Sequence, residues 1–201
     1  MTVTAAMVKE LREATGVGIL DCRTALQEND GDFDKAVDYL REKGLAKAAK
    51  RMSREANEGL IHAYIHGGGR IGVLVEVNCE TDFVARTDEF QGFVKDVAMQ
   101  IAAMAPGYVS RTDIPENVVE HEKSVYRAQS LEEGKPERII DRIVDGRMEK
   151  YFQQMCLLEQ AFIRDEDHTI EELLKTQITK TGENIVIRRF SRYQLGESLG
   201  D

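Results

Sequence analysis

The chain has 201 residues, 42% of them hydrophobic and 31% charged, which is ordinary for a globular protein with a real core. Its formal net charge of −9 argues against a basic surface for nucleic acid and against an anionic membrane as partner. No apolar run is long enough to span a bilayer, and the N-terminus lacks the pattern of a signal peptide. Three widely spaced cysteines suit free thiols in a reducing compartment, so we expect a cytoplasmic protein.

Three short amphipathic helices are predicted in about the first 45 residues. Thr4 is placed to cap the first, Asn29-Asp30-Gly31 breaks the second, and Asp32 caps the third. The helices carry apolar residues at helical spacing, and those of the third helix should face inward. The residues are Met7, Val8, Leu11 and Ala14 in the first helix, Ile19, Cys22, Ala25 and Leu26 in the second, and Phe33, Ala36, Val37 and Leu40 in the third. A core of this size is marginal alone, so the expected role of the bundle is to dock something.

The loop between the first two helices, Val17-Gly18-Ile19-Leu20, is open to two interpretations. Ile19 and Leu20 either close the bundle or form an exposed docking edge between glycine hinges. After the third helix, residues 44–58 are basic and rich in alanine. A helical extension or linker with a solvated face is the better interpretation of that segment than a phosphate-binding patch.

The clearest pattern in the chain is a strand at residues 71–77, where apolar side chains alternate with Gly72, Leu74 and Glu76. A polar turn follows, and an amphipathic helix then begins near Phe90. Phe83 lies in the turn beside Asp82, between these two buried elements. From the pattern alone its ring either packs inward or points outward to enter another molecule, and burial is the commoner fate of phenylalanine.

The remaining elements complete an α+β prediction. Strands at 60–66 and 71–77, joined by Gly67-Gly68-Gly69, form a hairpin rather than a phosphate loop, because no helix follows the glycines. The other expectations are a short edge strand at Tyr108-Val109, a helical hairpin at about 115–155, an extended segment at 157–162, a helix at 169–181 and a strand at 185–193. We expect an N-terminal module with its linker helix at 1–54 and a core domain at 55–201, with one three-stranded antiparallel sheet.

No catalytic constellation is evident in the sequence. Cys79 is near His62 and His66 along the chain, but no third group stands out to orient a base. Lys180-Thr181-Gly182 resembles part of a β-lactamase signature whose Ser-x-x-Lys partner is missing. No zinc spacing and no nucleotide-binding P-loop occurs. We therefore expect no enzyme activity, no metal site and no cofactor.

Three segments, in the right order over nearly the whole chain, resemble the bacterial elongation factor Ts family. They are the N-terminal Val8-Lys9-Glu10-Leu11-Arg12-Glu13 with Thr15-Gly16-Val17-Gly18, Asp21-Cys22 and Ala25-Leu26; the central Val75-Glu76-Val77-Asn78-Cys79-Glu80-Thr81-Asp82-Phe83-Val84-Ala85; and Gly182-Glu183-Asn184-Ile185 with Arg188-Arg189-Phe190. Any one segment alone would be a weak match, whereas the three together are specific.

The resemblance implies a translation elongation factor that exchanges guanine nucleotide on elongation factor Tu, and an N-terminal module like a ubiquitin-associated domain. It implies that the turn formed by Thr81, Asp82, Phe83 and Val84 enters the partner's GTP-binding domain and disturbs its Mg²⁺ site, with Phe83 pointing outward. It also implies that the N-terminal module contacts the same domain through residues of its first helix and loop, namely Arg12, Val17, Gly18, Ile19 and Leu20.

The sequence departs from longer members of the family, which continue with a further sheet subdomain or a C-terminal helical module. This chain has one sheet unit and stops at Asp201. Short members of this kind are expected to form homodimers. The alternative function is that of a generic protein-binding module that uses the N-terminal bundle.

Overall fold

The computed structural model describes residues 3–198, which contain eight α-helices, five β-strands and two short 3₁₀ turns. In chain order the helices and strands are α1 (Ala5–Thr15), α2 (Ile19–Glu28), α3 (Phe33–Arg51), β1 (Glu58–His66), β2 (Ile71–Cys79), α4 (Asp82–Ala85), α5 (Asp88–Met104), α6 (Glu116–Glu132), α7 (Glu137–Met155), β3 (Ala161–Phe162), β4 (Asp165–Thr169), α8 (Ile170–Thr181) and β5 (Ile185–Gln194). The α+β prediction is confirmed. Within the described range, no helix is both long and apolar enough to cross a membrane.

The chain forms two compact units that each draw on separate stretches of sequence. The first comprises the chain up to Leu60 together with Val77–Gln91 and Glu172–Val186, and the second comprises Ile61–Glu76, Gly92–Glu171 and the chain from Ile187 onward. A domain boundary near residue 54 stays a prediction.

The first unit begins with the predicted three-helix bundle. Thr4 caps α1 by accepting a hydrogen bond from the Met7 amide at 3.3 Å, and Asp32 caps α3 through the Lys35 amide at 3.1 Å. Gly16 ends α1 at φ 68°, a left-handed conformation that glycine adopts without strain. The buried core consists of Val8, Leu11, Cys22, Ala25, Leu26, Ala36 and Leu40. Helix α3 continues to Arg51, so the basic segment after the bundle is largely helical.

Contacts within the first unit hold α3 against α8. The Arg51 guanidinium donates to the Ile178 carbonyl at 3.2 Å, and the Thr179 hydroxyl donates to the Gly44 carbonyl at 3.1 Å. Gly44 is needed there because a Cβ atom would lie 2.9 Å from Cγ2 of Thr179. Polar bonds to backbone carbonyls, rather than a large apolar contact alone, therefore fix the bundle to the rest of this unit.

Most of the predicted three-stranded antiparallel sheet, in the order β1-β2-β5, lies in the second unit. The alternation predicted for β2 is confirmed, because Val73 and Val75 are buried while Leu74 is 50% exposed. Strands β1 and β2 are joined by the predicted glycine turn, closed by a 3.1 Å hydrogen bond from the Arg70 amide to the His66 carbonyl. Helix α5 adds to the core of this unit through Phe93, Val94, Val97, Ala98 and Ile101.

The predicted helical hairpin also lies in the second unit. Helices α6 and α7 pack against each other around the buried side chains of Ile140, Val144 and Met148. At the base of the hairpin, Arg111 forms two parallel hydrogen bonds, at 2.9 and 2.6 Å, with the Glu149 carboxylate. The same guanidinium lies 4.3 Å above the ring of Phe152. Bidentate pairing and ring stacking together fix the orientation of α7.

Two sequence predictions in this unit are wrong in detail. Tyr108 and Val109 do not form the expected edge strand, and Tyr108 instead forms an isolated parallel bridge with Cys156. Residues Leu157–Glu159 form a 3₁₀ turn, so only Ala161–Phe162 of the expected extended segment is a strand. That strand pairs with β4, a strand that was not predicted from the sequence. Gln100 is fully buried and supports this region by donating to the Ala161 carbonyl at 3.1 Å.

Candidate functional site

The turn after β2 contains a single-turn helix with a threonine at each side. Thr81 is the N-cap of α4, where its hydroxyl accepts a hydrogen bond from the Val84 amide at 3.5 Å. Thr87 follows the helix, donates to the Val84 carbonyl at 2.8 Å and accepts from the Phe90 amide at 3.2 Å. The backbone between the buried strand and the buried helix is therefore shaped by two hydroxyl groups.

Phe83 points away from the protein, with 78% of its surface exposed. Ala85, two positions later in the same helical turn, is buried. Successive residues of an α-helix are about 100° apart, so burial of Ala85 directs Phe83 to nearly the opposite side. The outward orientation implied by the family resemblance is confirmed, and the inward alternative is wrong.

Asp82 and Val84 flank this ring in different ways. Val84 is half-buried, whereas the Asp82 carboxylate accepts a 2.7 Å hydrogen bond from the exposed guanidinium of Arg86, one helical turn later. An exposed ion pair of this type contributes about 0–1 kcal/mol to stability. The Asp82 carboxylate is therefore ordered but can change partner at little cost.

A carboxylate from a distant part of the chain holds the start of the turn. Glu183 accepts hydrogen bonds from the backbone amides of Glu80 and Thr81, at 3.1 and 3.0 Å, and from the Thr81 hydroxyl at 2.6 Å. The Glu80 carboxylate in turn accepts a hydrogen bond from the backbone amide of Asn184 at 2.6 Å. The Asn184 side chain is buried and donates to the Arg54 carbonyl at 2.6 Å.

No site role was predicted from the sequence for Glu183, Glu80 or Asn184. Glu183 and Thr81 are 102 positions apart. No periodic pattern within one element could have paired them. The only signal was that Glu183 and Asn184 belong to the third of the segments that resemble the family.

Cys79 is a structural thiol at the end of β2. It is fully buried and donates a hydrogen bond to the Thr81 carbonyl at 3.1 Å. Burial, reinforced by the negative charge of Glu183, raises the pKa of this thiol to about 11. At neutral pH the thiol stays protonated, which is the opposite of what a nucleophilic cysteine requires. Within residues 3–198 no cluster of three or more His, Cys, Asp or Glu side chains is arranged to hold a metal ion.

The loop of the N-terminal bundle places its apolar side chains in two directions. Val17 is half-buried and packs against the bundle core, whereas Ile19 and Leu20 are 54% and 79% exposed. Gly18 precedes the first turn of α2 in an extended conformation, and Arg12 is exposed on α1. Of the two interpretations of the loop, the structure supports an exposed edge for Ile19 and Leu20.

Lys180 links this loop to the helix that follows the Phe83 turn. A methyl group placed on Gly16 would lie 3.5 Å from Cε of Lys180, and the Lys180 ammonium pairs with Glu89 of α5 at 3.4 Å. Both exposed apolar features therefore belong to the first compact unit. An exposed aromatic ring and an exposed apolar loop in one unit of an α+β protein are typical of proteins that bind other macromolecules through projecting loops.

Comparison with known proteins identifies the family. The family model for elongation factor Ts matches residues 7–197. Proteins named elongation factor Ts from Caldanaerobacter subterraneus subsp. tengcongensis and Thermoanaerobacter pseudethanolicus are 61% and 60% identical, over 98% of this chain and 98% and 97% of theirs. The elongation factor Ts of Moorella thermoacetica is 58% identical over 98% of this chain and 97% of its own. The chain belongs to the elongation factor Ts family and is a translation elongation factor.

Proposed function

We propose that the protein binds elongation factor Tu in its GDP form, disturbs the Mg²⁺ and phosphate site of that partner, and so promotes GDP release. The observation that carries this proposal is the 78% exposure of Phe83 on a helical turn fixed from both sides. An exposed large ring is costly in water and gains about 1.5–3 kcal/mol when a partner buries it. Membership of the elongation factor Ts family supports elongation factor Tu as the partner.

Exchange requires no bond-making chemistry in this chain, so the proposed activity is not that of an enzyme. In a GTPase the Mg²⁺ ion bridges protein ligands and phosphate oxygens. If this protein binds best to the partner without Mg²⁺ and nucleotide, it weakens GDP binding by the same factor by which GDP weakens its own binding. Translation takes place in the cytoplasm, where we expect the protein to act.

Thr81, Asp82, Phe83 and Val84 have separate proposed parts in this contact. Phe83 inserts into the partner, Thr81 holds the turn, and the half-buried Val84 completes the contact surface beside the ring. Asp82 exchanges its exposed ion pair with Arg86 for donors of the partner near the metal, at small cost because that pair is weak.

A second contact is needed because one phenyl ring changes affinity only about 10- to 150-fold. The exposed Ile19 and Leu20 supply it, supported by Val17, Gly18 and Arg12 of the same module. We propose that this edge grips the same domain of the partner and contributes affinity, while the Phe83 turn contributes the selective action on the nucleotide site.

The test mixes the purified protein with elongation factor Tu loaded with GDP, with and without excess Mg²⁺. The proposal expects faster release of a fluorescent GDP and a stable nucleotide-free complex that added GDP dissociates. A generic binding module that used only the bundle would form a complex whose stability is insensitive to GDP. An unchanged GDP release rate at saturating protein would contradict the exchange function.

We also propose that the protein forms a homodimer through the second unit. The outer face of the sheet carries Ile61, Ile65 and Leu74, which are 63%, 66% and 50% exposed. Gly72 lies beside Ile65, where an added Cβ would be 3.4 Å from the terminal methyl of Ile65, so the isoleucine side chain packs closely over the glycine on this face. Light scattering should give a dimer mass, and Ile65→Glu should give a monomer, since a buried unpaired charge is strongly unfavourable.

A further inference from the structure

The Glu183 side chain holds both the backbone and the N-cap of the turn at residues 81–84, called here the Phe83 turn. Its carboxylate accepts from two consecutive amides, those of Glu80 and Thr81, and from the Thr81 hydroxyl. The hydroxyl bond is the shortest of the three, at 2.6 Å. Bonds of this kind to an ionised acceptor are stronger than bonds between neutral groups.

The Thr81 hydroxyl has two bonds that depend on each other. It donates to Glu183 and accepts from the backbone amide of Val84, and this second bond is the N-cap bond of α4. Because the hydroxyl has a single proton, donating it to Glu183 directs its lone pairs toward α4. Glu183 therefore orients the cap, and the cap orients the helical turn that contains Phe83.

A helix as short as α4 does not hold its own shape. It has four residues, whereas isolated helices shorter than about 12–15 residues are marginal in water. Its order must come from its ends and from the burial of Ala85. The end that precedes Phe83 is the end that Glu183 holds.

We propose that Glu183 is the positioning residue of the nucleotide-exchange turn, so that it keeps Phe83 in the orientation that enters the partner. This inference rests on the proposed exchange function, and it assigns Glu183 no contact with the nucleotide or the metal. Preorganisation of this kind lowers the ordering cost of binding, so its loss appears in the exchange rate rather than in the fold.

The first measurement needs no partner. Hydrogen–deuterium exchange of the free protein is compared for wild type, Glu183→Gln and Thr81→Val, in peptides that cover residues 80–87. The two backbone amides donate to one oxygen of Glu183 and the Thr81 hydroxyl donates to the other. A glutamine whose oxygen stays at the backbone amides places its NH2 group against the Thr81 hydroxyl, which can then no longer donate there, and the valine removes the hydroxyl while keeping the shape, so both variants should exchange faster there. Thr81→Ser keeps the hydroxyl and should behave as wild type. Unchanged protection in both Glu183→Gln and Thr81→Val would overturn the proposal.

The second measurement is stopped-flow release of fluorescent GDP from elongation factor Tu. Glu183→Gln should slow exchange about tenfold, which corresponds to about 1.4 kcal/mol. Glu149→Gln is the matched control, because it makes the same chemical change in a different carboxylate. Glu149 lies in the second unit, where its carboxylate pairs with Arg111. The control should exchange at the wild-type rate, and an equal loss in both variants would overturn the proposal.

A double-mutant cycle separates positioning from a general structural role. If Glu183 acts through Phe83, then Glu183→Gln should add little to the loss already caused by Phe83→Ala. If the loss of exchange rate in the double variant equals the product of the two single losses, Glu183 acts independently of the ring, which would overturn the inference. If wild-type protein fails to accelerate GDP release, the exchange function fails, and the turn-ordering effect is still decided by hydrogen exchange.

Discussion

Replacing Phe83 by alanine separates the fold of the protein from its proposed action. The ring is 78% exposed, so most of its surface has no packing partner in the free protein to lose. Alanine also has the higher helix propensity. We therefore expect the free energy of unfolding to change by less than about 0.5 kcal/mol, as for other surface substitutions.

The effect on exchange should be much larger than the effect on stability. Burying a phenyl ring in a partner contributes about 1.5–3 kcal/mol, and its loss weakens the productive complex about 10- to 150-fold. Phe83→Leu keeps a large apolar side chain and should give an intermediate loss. The assay is stopped-flow release of fluorescent GDP from elongation factor Tu as a function of the concentration of this protein.

Leu131→Ala is the matched control for this experiment. Leu131 is also a large apolar residue with 54% exposure, but it lies on α6 in the second unit. Its truncation should leave GDP release unchanged. Wild-type release rates with Phe83→Ala, while circular dichroism shows an intact fold, would refute the reasoning that the ring acts on the partner.

Three further predictions test other parts of the structure. Leu20→Ser should leave unfolding unchanged but weaken binding to elongation factor Tu by about 1.5–3 kcal/mol in calorimetry, and unchanged affinity would contradict the second contact. Gly59→Ala should destabilise the protein by about 3 kcal/mol or more in thermal unfolding, because φ is 133° and a Cβ would lie 2.2 Å from the Val77 carbonyl oxygen. Gly68 also has a positive φ, but a Cβ there would meet no other atom, so Gly68→Ala should destabilise by only about 1–2 kcal/mol. Stability should fall as the pH rises from 9 to 11, because burial raises the pKa values of Cys79 and Cys156 to about 11 and the unfolded chain releases these protons first; flat unfolding midpoints over this range would contradict it.

The elements with strong hydrophobic periodicity were predictable from the sequence. Strand β2 alternates buried valines with outer residues, and α7 repeats its buried positions at helical spacing in Ile140, Val144 and Met148. Caps at Thr4 and Asp32 follow from residue type, because their side chains compete well for free amides at a helix start. In each case the signal lies within one element.

Strand β4 was missed because its sequence, Asp165–Thr169, has no apolar alternation, and all five of its residues are exposed or only partly buried. Its pairing with β3 is a local hairpin in which Phe162 of β3 is buried, while the residues of β4 itself show no buried face. The Tyr108 bridge to Cys156 was missed for a different reason, since it joins two residues from distant parts of the sequence. Periodicity reports which side chains are buried and is silent about both kinds of contact.

The candidate site was predictable in its parts but not in its support. Residue types and family resemblance pointed to Phe83, yet the direction of the ring is determined by which residue of α4 is buried, and that residue is Ala85. A four-residue helix is too short for a hydrophobic pattern to fix its rotation. Glu183 provides an external constraint from a separate element, so the orientation of the turn is a tertiary property.

The same geometry explains how an exposed ring can remain both available and ordered. A ring on a mobile loop would lose conformational entropy on binding, at about 1–2 kcal/mol for each residue fixed, which would cancel much of the gain from burying it. Here Thr81, Thr87 and Glu183 fix the backbone before any partner arrives. Under the proposed function, most of the free energy of burying Phe83 is then left to oppose nucleotide binding in the partner. Loosening the turn should therefore slow exchange even when every residue proposed to touch the partner is unchanged.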